Sequence, residues 1–354
     1  MLSSLSLYHY KNYTERNFLF TKKIACFHGK NGTGKTNILD AIYYLCFTKS
    51  YFSSYDSHVI QQDAVGMFVK GLINKDAINC IIRENGTKEI SLNGSIYEKK
   101  SEHIGRFPAV MISPDDIVLI NGHSDTRRRF IDILLCQLDS HYLQHLVQYN
   151  KYLAQRNALL KSAKRKVVDA TIHNHFKEQL ATHANYIFSA RVQIVEELKP
   201  ICEKFYQKIS SKKEDISIMY KSQLSDKGMD ALLAESLEKD FATQRTNVGI
   251  HKDDLLFTLQ DSLFKQSASQ GQKKCFLFAI KLAEFSLLES KLNLSPILLL
   301  DDLFEKLDKE RSQLLVDLIV SFNAQTFITD TDENRLKKAF EDKKSVQFES
   351  IIAN

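Results

Sequence analysis

The sequence predicts an α/β protein: a head of alternating strands and helices, interrupted by a helical arm. Three observations predict it. A glycine-rich turn lies between a strand-like and a helix-like segment near the N-terminus, an apolar run ends in two aspartates near the C-terminus, and residues 121 to 213 carry apolar side chains at helical spacing. The 354 residues exceed a typical domain and can bury a large core, which fits one main domain with a substantial insertion or a second lobe. The hydrophobic share is 44% and there are only four prolines, so nearly all of the chain is expected to fold.

The first 30 residues read as short strands, LSLYHYKNY, NFLF and KIACFHG, the last an apolar run that stops at a glycine. Ile38, Leu39, Ile42, Tyr43 and Leu45 then recur near helical spacing, predicting a helix from Thr36 to about Phe47. Residues 67 to 112 alternate apolar and polar positions and are broken at Asn85-Gly86 and Asn93-Gly94, a hairpin signature, so they read as a small antiparallel meander. After Gly122 the texture changes. One apolar series runs from Leu135 to Leu160 and another from Phe176 to Phe205; two long helices account for both, with Pro200 marking a kink or an end in the second. The basic stretch KSAKRKVVDATIHN between them reads as the tip of a helical hairpin. Beyond it, strand-like EDISIMY and a helical stretch lead into CFLFAIKLAEFSLLESK, PILLLDD, SQLLVDLIVSF and QTFIT, an alternation of helix and buried strand that implies parallel pairing through crossovers. The expected organisation is therefore a first part of the head with an antiparallel β lobe (1–120), an inserted helical-hairpin arm (121–213) and a second part of the head (214–354).

A net charge of +5 is too modest to prove a polyanionic partner, but it is unevenly spread. Residues 121 to 213 hold 16 Lys+Arg against 8 Asp+Glu, net +8, which leaves the rest of the chain at −3. The six cysteines (Cys26, Cys46, Cys80, Cys136, Cys202, Cys275) are scattered singly, without the close pairs that zinc or redox motifs require, and read as buried reduced thiols. No charged start followed by an apolar stretch opens the chain, and no apolar run approaches membrane-spanning length, so a cytoplasmic protein with no membrane partner is expected.

Gly29, Lys30, Asn31, Gly32, Thr33, Gly34, Lys35 and Thr36 match G-x-x-x-x-G-K-[ST] without deviation, between a predicted strand and a predicted helix. Glycines let the backbone curl so that its N–H groups point at phosphate oxygens, and the helix N-terminus adds partial positive charge. Lys35 is expected at the β- and γ-phosphates of ATP and Thr36 on Mg²⁺. The run Ile297 to Leu300 followed by Asp301 and Asp302 has the form of a central parallel strand, beyond whose carboxyl end ligands bind. There Asp301 can hold the Mg²⁺ shell and Asp302 can orient or deprotonate the attacking water. A plain strand running into a polar loop would look the same in isolation; the P-loop makes the chemical reading the better one. The third element, Ser269, Gly271 and Gln272 before an apolar helix, has Ser269 at an N-cap position, and by itself is better read as an ordinary capped helix.

These three elements, in this order, resemble the ATP-binding-cassette and SMC-like ATPase class, and the chain is similar over nearly its whole length to the RecF family. LSLYHYKNY resembles that family's Leu-x-Leu-x-x-Phe-Arg-Asn-Tyr, and SPDDIVLINGHSDTRRRFID its Pro-Glu-Asp-Leu segment followed by Arg-Arg-x-Phe-Leu-Asp. YNKYLAQRNALLK, RTNVGIHKDDL, SASQGQKK, PILLLDDLFEKLD and FITDTD follow in the family's order. The resemblance implies ATP held between two heads, with Ser269, Gly271 and Gln272 of one subunit contacting the γ-phosphate in the P-loop of the other, Asp308 near that junction and Lys11 near the nucleotide. The departures are Lys11 in place of Arg, Ile250 and Lys252 in place of Pro and Arg, Glu305-Lys306 in place of Ser-Glu, and Asp330 in place of Thr.

The function this implies is that of a weak, DNA-stimulated ATPase of DNA replication and recombinational repair, acting in the SOS response to DNA damage. ATP would close a homodimer on gapped DNA or a single-strand/duplex junction, slow hydrolysis would release it, and RecO- and RecR-like partners would help it load recombinase. Lys161, Lys164, Arg165 and Lys166 are candidate phosphate contacts, and equally a solvated helix face; Arg127, Arg128 and Arg129 are candidates to brace the arm instead. The alternative is the nucleotide-binding subunit of an ABC transporter, against which the long basic insertion argues. A chromosome-organising SMC protein would need far more sustained heptads than this arm offers.

Overall fold

The computed structural model describes residues 1–162, 170–210, 214–302, 304, 309–341 and 346–352. It divides into two compact units, one of residues 1–116, 208–211 and 278–354 and the other of residues 117–207 and 212–277. Residues 214–277, grouped with the second part of the head in the expected organisation, fall within the second unit here.

The first unit is built on a five-stranded sheet in the order Val346–Ser350, Ile24–His28, Thr326–Asp330, Ile297–Leu300, Ala109–Ile112. Every pairing in it is parallel. Ile24–His28, Ala109–Ile112, Ile297–Leu300 and Thr326–Asp330 are buried along their whole length, as strands covered on both faces must be. The helix Lys35–Phe47 follows the first of them and is itself almost wholly buried. A second, six-stranded sheet is antiparallel, in the order Tyr13–Leu19, Leu2–Tyr10, Met67–Ile73, Asp76–Ile82, Lys88–Leu92, Ser95–Ile96. Its strands show the alternating burial of a half-covered sheet, clearest in Met67–Ile73. The predicted meander is thus present, but its last member is not in it. Ala109–Ile112, four apolar residues without alternation, leaves the antiparallel sheet and pairs in parallel with Ile297–Leu300.

The second unit contains the helices Ser124–Leu138 and Ser140–Ser162, most of Ala170–Ser210, and a three-stranded antiparallel sheet of Ser262–Leu263, Asp254–Leu259 and Ile216–Lys221. The first apolar series, read as one helix, is two. Asp139 takes extended backbone angles and accepts the amide of His141 at 2.8 Å, ending one helix and starting the next. A one-residue interruption hardly disturbs the three-to-four spacing, which is why the series looked continuous. Ala170–Ser210 runs through Pro200 without ending. Residues 163–169, the middle of the predicted hairpin tip with Lys164, Arg165 and Lys166, lie outside the described residues, as does Asp308; the tip's flanks belong to the helices Ser140–Ser162 and Ala170–Ser210.

Polar anchors fix this unit from within. Arg191, 2% exposed, donates to Asp132 at 2.8 Å, to the Tyr142 hydroxyl at 3.0 Å and to the Ile250 carbonyl at 2.9 Å. Arg156, equally buried, donates to Asp240 at 2.8 Å and to Thr246 at 2.6 Å. Buried ions of this kind are tolerated only when paired, so removal of one partner strands the other. None of the six cysteines forms a disulfide; five are buried and Cys136 is half-buried. No helix among the described residues is long and apolar enough to cross a membrane.

Candidate functional site

The glycine-rich loop leaves the carboxyl end of Ile24–His28 and enters the helix Lys35–Phe47, as the sequence requires. Two of its glycines are dictated by contact. At Gly29 (φ 154°) a Cβ would lie 2.3 Å from the carbonyl oxygen of Ile351, whose own amide donates to His28 at 2.8 Å. At Gly34 (φ 104°) it would meet the Asn12 side chain at 2.5 Å and the Tyr13 hydroxyl at 2.8 Å. Gly34 is also the helix N-cap; it brings no side-chain cap, and the first turn holds no acid. That N-terminus therefore keeps its donors and its positive partial charge for an anion.

The loop is braced from both sides. Asn12 donates to the Thr33 carbonyl at 3.1 Å and accepts from Asn37 at 2.7 Å, while Tyr13 donates to the Gly34 carbonyl at 3.1 Å. Thr33 donates to the Lys30 carbonyl at 2.9 Å. The Lys35 ammonium, 6% exposed, donates to the carbonyls of Gly29 and Lys30, both at 2.9 Å, so its charge is held over the loop's own opening.

Thr36 and Asp301 meet across 265 residues of sequence. The Thr36 hydroxyl donates to the Asp301 carboxylate, 2.9 Å from one oxygen and 3.1 Å from the other. A hydroxyl and a carboxylate presented together from two elements are hard oxygen donors of the kind Mg²⁺ prefers, so the residues fit that ion. Burial raises the proton affinity of Asp301, an effect opposed by hydrogen bonds from Thr329 and Thr36 and by the Lys35 charge. Asp115, exposed in the short 3-10 helix Pro114–Ile117 after the neighbouring strand Ala109–Ile112, pushes in the same direction as burial.

Thr329 was not singled out from the sequence. Its hydroxyl donates to Asp301 at 2.6 Å and accepts the Asp302 amide at 3.0 Å, fixing both acids at once. The parallel register that pairs Leu300 with Ile328 sets Thr329 beside Asp301. Asp302 has a positive φ of 44°, a conformation more open to Asp and Asn than to most residues. Asn12 and Tyr13 were also missed, though both sit in the Lys-Asn-Tyr segment already noted.

Lys11 flanks the loop, but its ammonium lies 2.6 Å from the fully buried Asp40. Asp40 also accepts from Tyr10 and Ser50, both at 2.8 Å, and from the Tyr51 amide at 2.7 Å. The charge of Lys11 thus neutralises a buried carboxylate. Asp330 is similarly engaged: wholly buried, it is gripped by Arg335 and accepts the Asp332 amide at 2.8 Å.

In the second unit, the Gln272 amide donates to the Ser269 hydroxyl at 3.2 Å and the Gln272 side chain accepts the Ser269 amide at 2.7 Å. This reciprocal pair is a capping box on the helix Gln270–Leu292, with Gly271 inside its first turn. Gln272 also donates to Glu214 at 3.0 Å. Lys161 is exposed near the end of Ser140–Ser162. Arg127 forks onto Asp254 at 2.7 and 3.0 Å and Arg128 donates to the Asp253 carbonyl at 2.6 Å; Arg129 is exposed.

The family model of the RecF/RecN/SMC N-terminal domain matches residues 1–352. A protein of Parabacteroides distasonis named "DNA replication and repair protein RecF" is 42% identical over 342 residues, spanning 95% of this chain and 93% of its own. A solved structure of "the recombination mediator protein RecF-ATP in RecFOR pathway" superposes with a TM-score of 0.88 at 30% identity, over 94% of this chain and 92% of that one. A Pyrococcus furiosus Smc head domain with an extended coiled coil, 17% identical, shares the fold with a TM-score of 0.53 over 95% of this chain and 90% of its own.

Proposed function

The chain belongs to the RecF/RecN/SMC N-terminal-domain family and within it groups with the RecF proteins, and from that membership we propose that it is an ATP-dependent DNA-binding protein of replication and recombinational repair. The reading as a transporter subunit gives way to this membership.

What carries the reading is the meeting of Thr36 with Asp301 beside a glycine-rich loop at an uncapped helix N-terminus. In the proposed reaction the amides of Gly29 to Thr36 and the Lys35 ammonium bind the β- and γ-phosphates of ATP. Thr36 and Asp301 would hold Mg²⁺, which when bound neutralises charge developing on the phosphate oxygens. Asp302, held by its amide on Thr329, orients the attacking water and accepts its proton. Two hydroxyl donors and the Lys35 charge favour the carboxylate form of Asp301 against its burial, which raises its proton affinity. Lys11 serves by fixing Asp40 and the turn before Asn12 rather than by touching phosphate.

Ser269, Gly271 and Gln272 of a second subunit complete the site in trans, so that ATP closes a homodimer. Contact with the γ-phosphate requires the Ser269 hydroxyl to be shared between its capping bond and the nucleotide. The closed dimer grips gapped or single-strand/duplex junction DNA, slow hydrolysis stimulated by DNA releases it, and cytoplasmic RecO- and RecR-like partners use it to load recombinase. Sedimentation velocity tests this. ATP with Mg²⁺ should convert monomer to dimer, ADP should not, and the dimer should co-sediment with gapped duplex ahead of blunt duplex. A monomer in saturating ATP, or a dimer indifferent to nucleotide, contradicts the proposal.

A further inference from the structure

In the second unit the acids around the turn Ile250–Lys252 are already spent inward. Asp240 is paired with the buried Arg156 at 2.8 Å, Asp253 with the buried Arg191 at 3.4 Å, and Asp254 with Arg127 at 2.7 Å. Asp240 and Asp253 are 0% and 1% exposed. Several cations stand outside these pairs. Arg128 reaches over this turn and donates to the carbonyl of Asp253, the residue next to Lys252. Lys252 is exposed, and so is Arg245, which follows the helix Leu237–Thr243. Neither Arg245 nor Lys252 has an acidic partner within ion-pair distance among the described residues.

The His251 ring lies 3.1 Å from the Thr246 carbonyl, which sets the segments of Lys252 and Arg245 side by side; partial burial, then the charges of Arg245 and Arg128, lower the proton affinity of Lys252, and the shielded Asp240 opposes them. Three like charges gathered around one turn, with Asp240, Asp253 and Asp254 each paired to an arginine, cost repulsion in the free protein. That cost is relieved by a ligand that brings regularly spaced negative charge without needing a deep pocket.

We infer that Arg128, Arg245 and Lys252 form a contact surface for the phosphodiester backbone of DNA, one that reads spacing and charge and not base sequence. The inference rests on the DNA-binding function proposed above and names the surface involved. Arg128 is fixed by its bond to the Asp253 carbonyl and gives the surface its register, while Arg245 and Lys252 reach to successive phosphates.

The test uses the full chain with ATP, a gapped duplex, and a matched titration against vesicles of phosphatidylglycerol. The double variant Arg245→Glu, Lys252→Glu should bind DNA roughly 100-fold more weakly at low salt, with a log–log salt dependence shallower by about 2. Arg245→Lys with Lys252→Arg should bind nearly as the parent does. Melting temperature and ATP affinity report folding, and Lys338→Glu, an exposed charge change in the first unit, should leave DNA affinity within about twofold. Unchanged affinity and salt slope in the double variant, with the parent binding DNA, would overturn this surface alone. A parent that binds no DNA removes the proposed function as well, and a parent that prefers the vesicles overturns the identification of the ligand.

Discussion

The hydroxyl of Thr329 lies 2.6 Å from a carboxylate oxygen of Asp301 and accepts the amide of the following Asp302 at 3.0 Å. One buried side chain on the strand Thr326–Asp330 therefore sets the position of both acids that end the neighbouring strand. Thr329→Val, close in shape but without the hydroxyl, should lower kcat roughly 10- to 100-fold by misplacing the reacting groups. The Mg²⁺ concentration needed for half-maximal rate should rise, and Thr329→Ser should recover most of both. A Val variant with the parent's Mg²⁺ dependence would show that Thr329 is only packing.

Asp302 and Asp301 should separate by kinetics. Asp302→Asn keeps ATP binding, because the phosphates are held elsewhere, but loses at least about 100-fold in turnover, the usual worth of a general base. Asp301→Asn should weaken Mg²⁺-dependent ATP binding itself. Steady-state hydrolysis paired with equilibrium nucleotide binding makes the distinction, and unchanged hydrolysis in Asp302→Asn removes that residue from catalysis.

The capping box makes a two-part prediction for Ser269→Ala. Loss of the cap should cost about 1 kcal/mol in stability, measurable by chemical denaturation. ATP binding to the monomer should be unaffected, whereas ATP-driven dimerisation should be lost. Ser269→Asp, which can also cap, should recover stability without recovering dimerisation, since its charge opposes the γ-phosphate. Dimerisation that follows stability in both variants would reduce Ser269 to a helix cap.

His251 predicts a pH effect. Its Nδ1 lies 2.8 Å from the Tyr149 hydroxyl and its Nε2 3.1 Å from the Thr246 carbonyl. The carbonyl can only accept, so Nε2 carries the proton and Nδ1 takes the tyrosine's. Burial, reinforced by the charges of Lys252 and Arg128, lowers the pKa to about 4. The unfolded chain, with a His pKa near 6.5, then binds a proton that the folded chain refuses, so stability is lost as pH falls from about 6.5 toward 4. The loss attributable to this residue is about 3 kcal/mol, and His251→Gln should flatten that part of the stability curve. An acid slope equal in the two proteins contradicts this assignment.

How much of this was legible in sequence depends on where each interaction is encoded. The P-loop is written in eight consecutive residues, and its strand and helix flank it directly, so its backbone course followed from the sequence. Asp301 stood out because an apolar run ending in acids was read together with the P-loop, not by itself. Thr329 was not: nothing local distinguishes it, and its role exists only because parallel register sets it beside Asp301. Lys11 carries a charge that looked available for phosphate, and only the three-dimensional packing of Tyr10, Ser50 and Tyr51 around Asp40 reveals where that charge is needed. Likewise Ala109–Ile112 follows the meander in sequence but belongs to the parallel sheet, a pairing set by contact with residues nearly two hundred positions later.

The central claim, that main-chain amides of residues 29 to 36 and the Lys35 ammonium hold a triphosphate, is tested most directly by ATP affinity in Lys35→Ala. The lysine makes charge-assisted bonds that no neighbour replaces. Equilibrium binding of a fluorescent ATP analogue, with melting temperature as the control for folding, should show affinity at least about 100-fold weaker and no ATP-driven dimer. A folded Lys35→Ala chain that binds ATP and dimerises as the parent does would contradict the account.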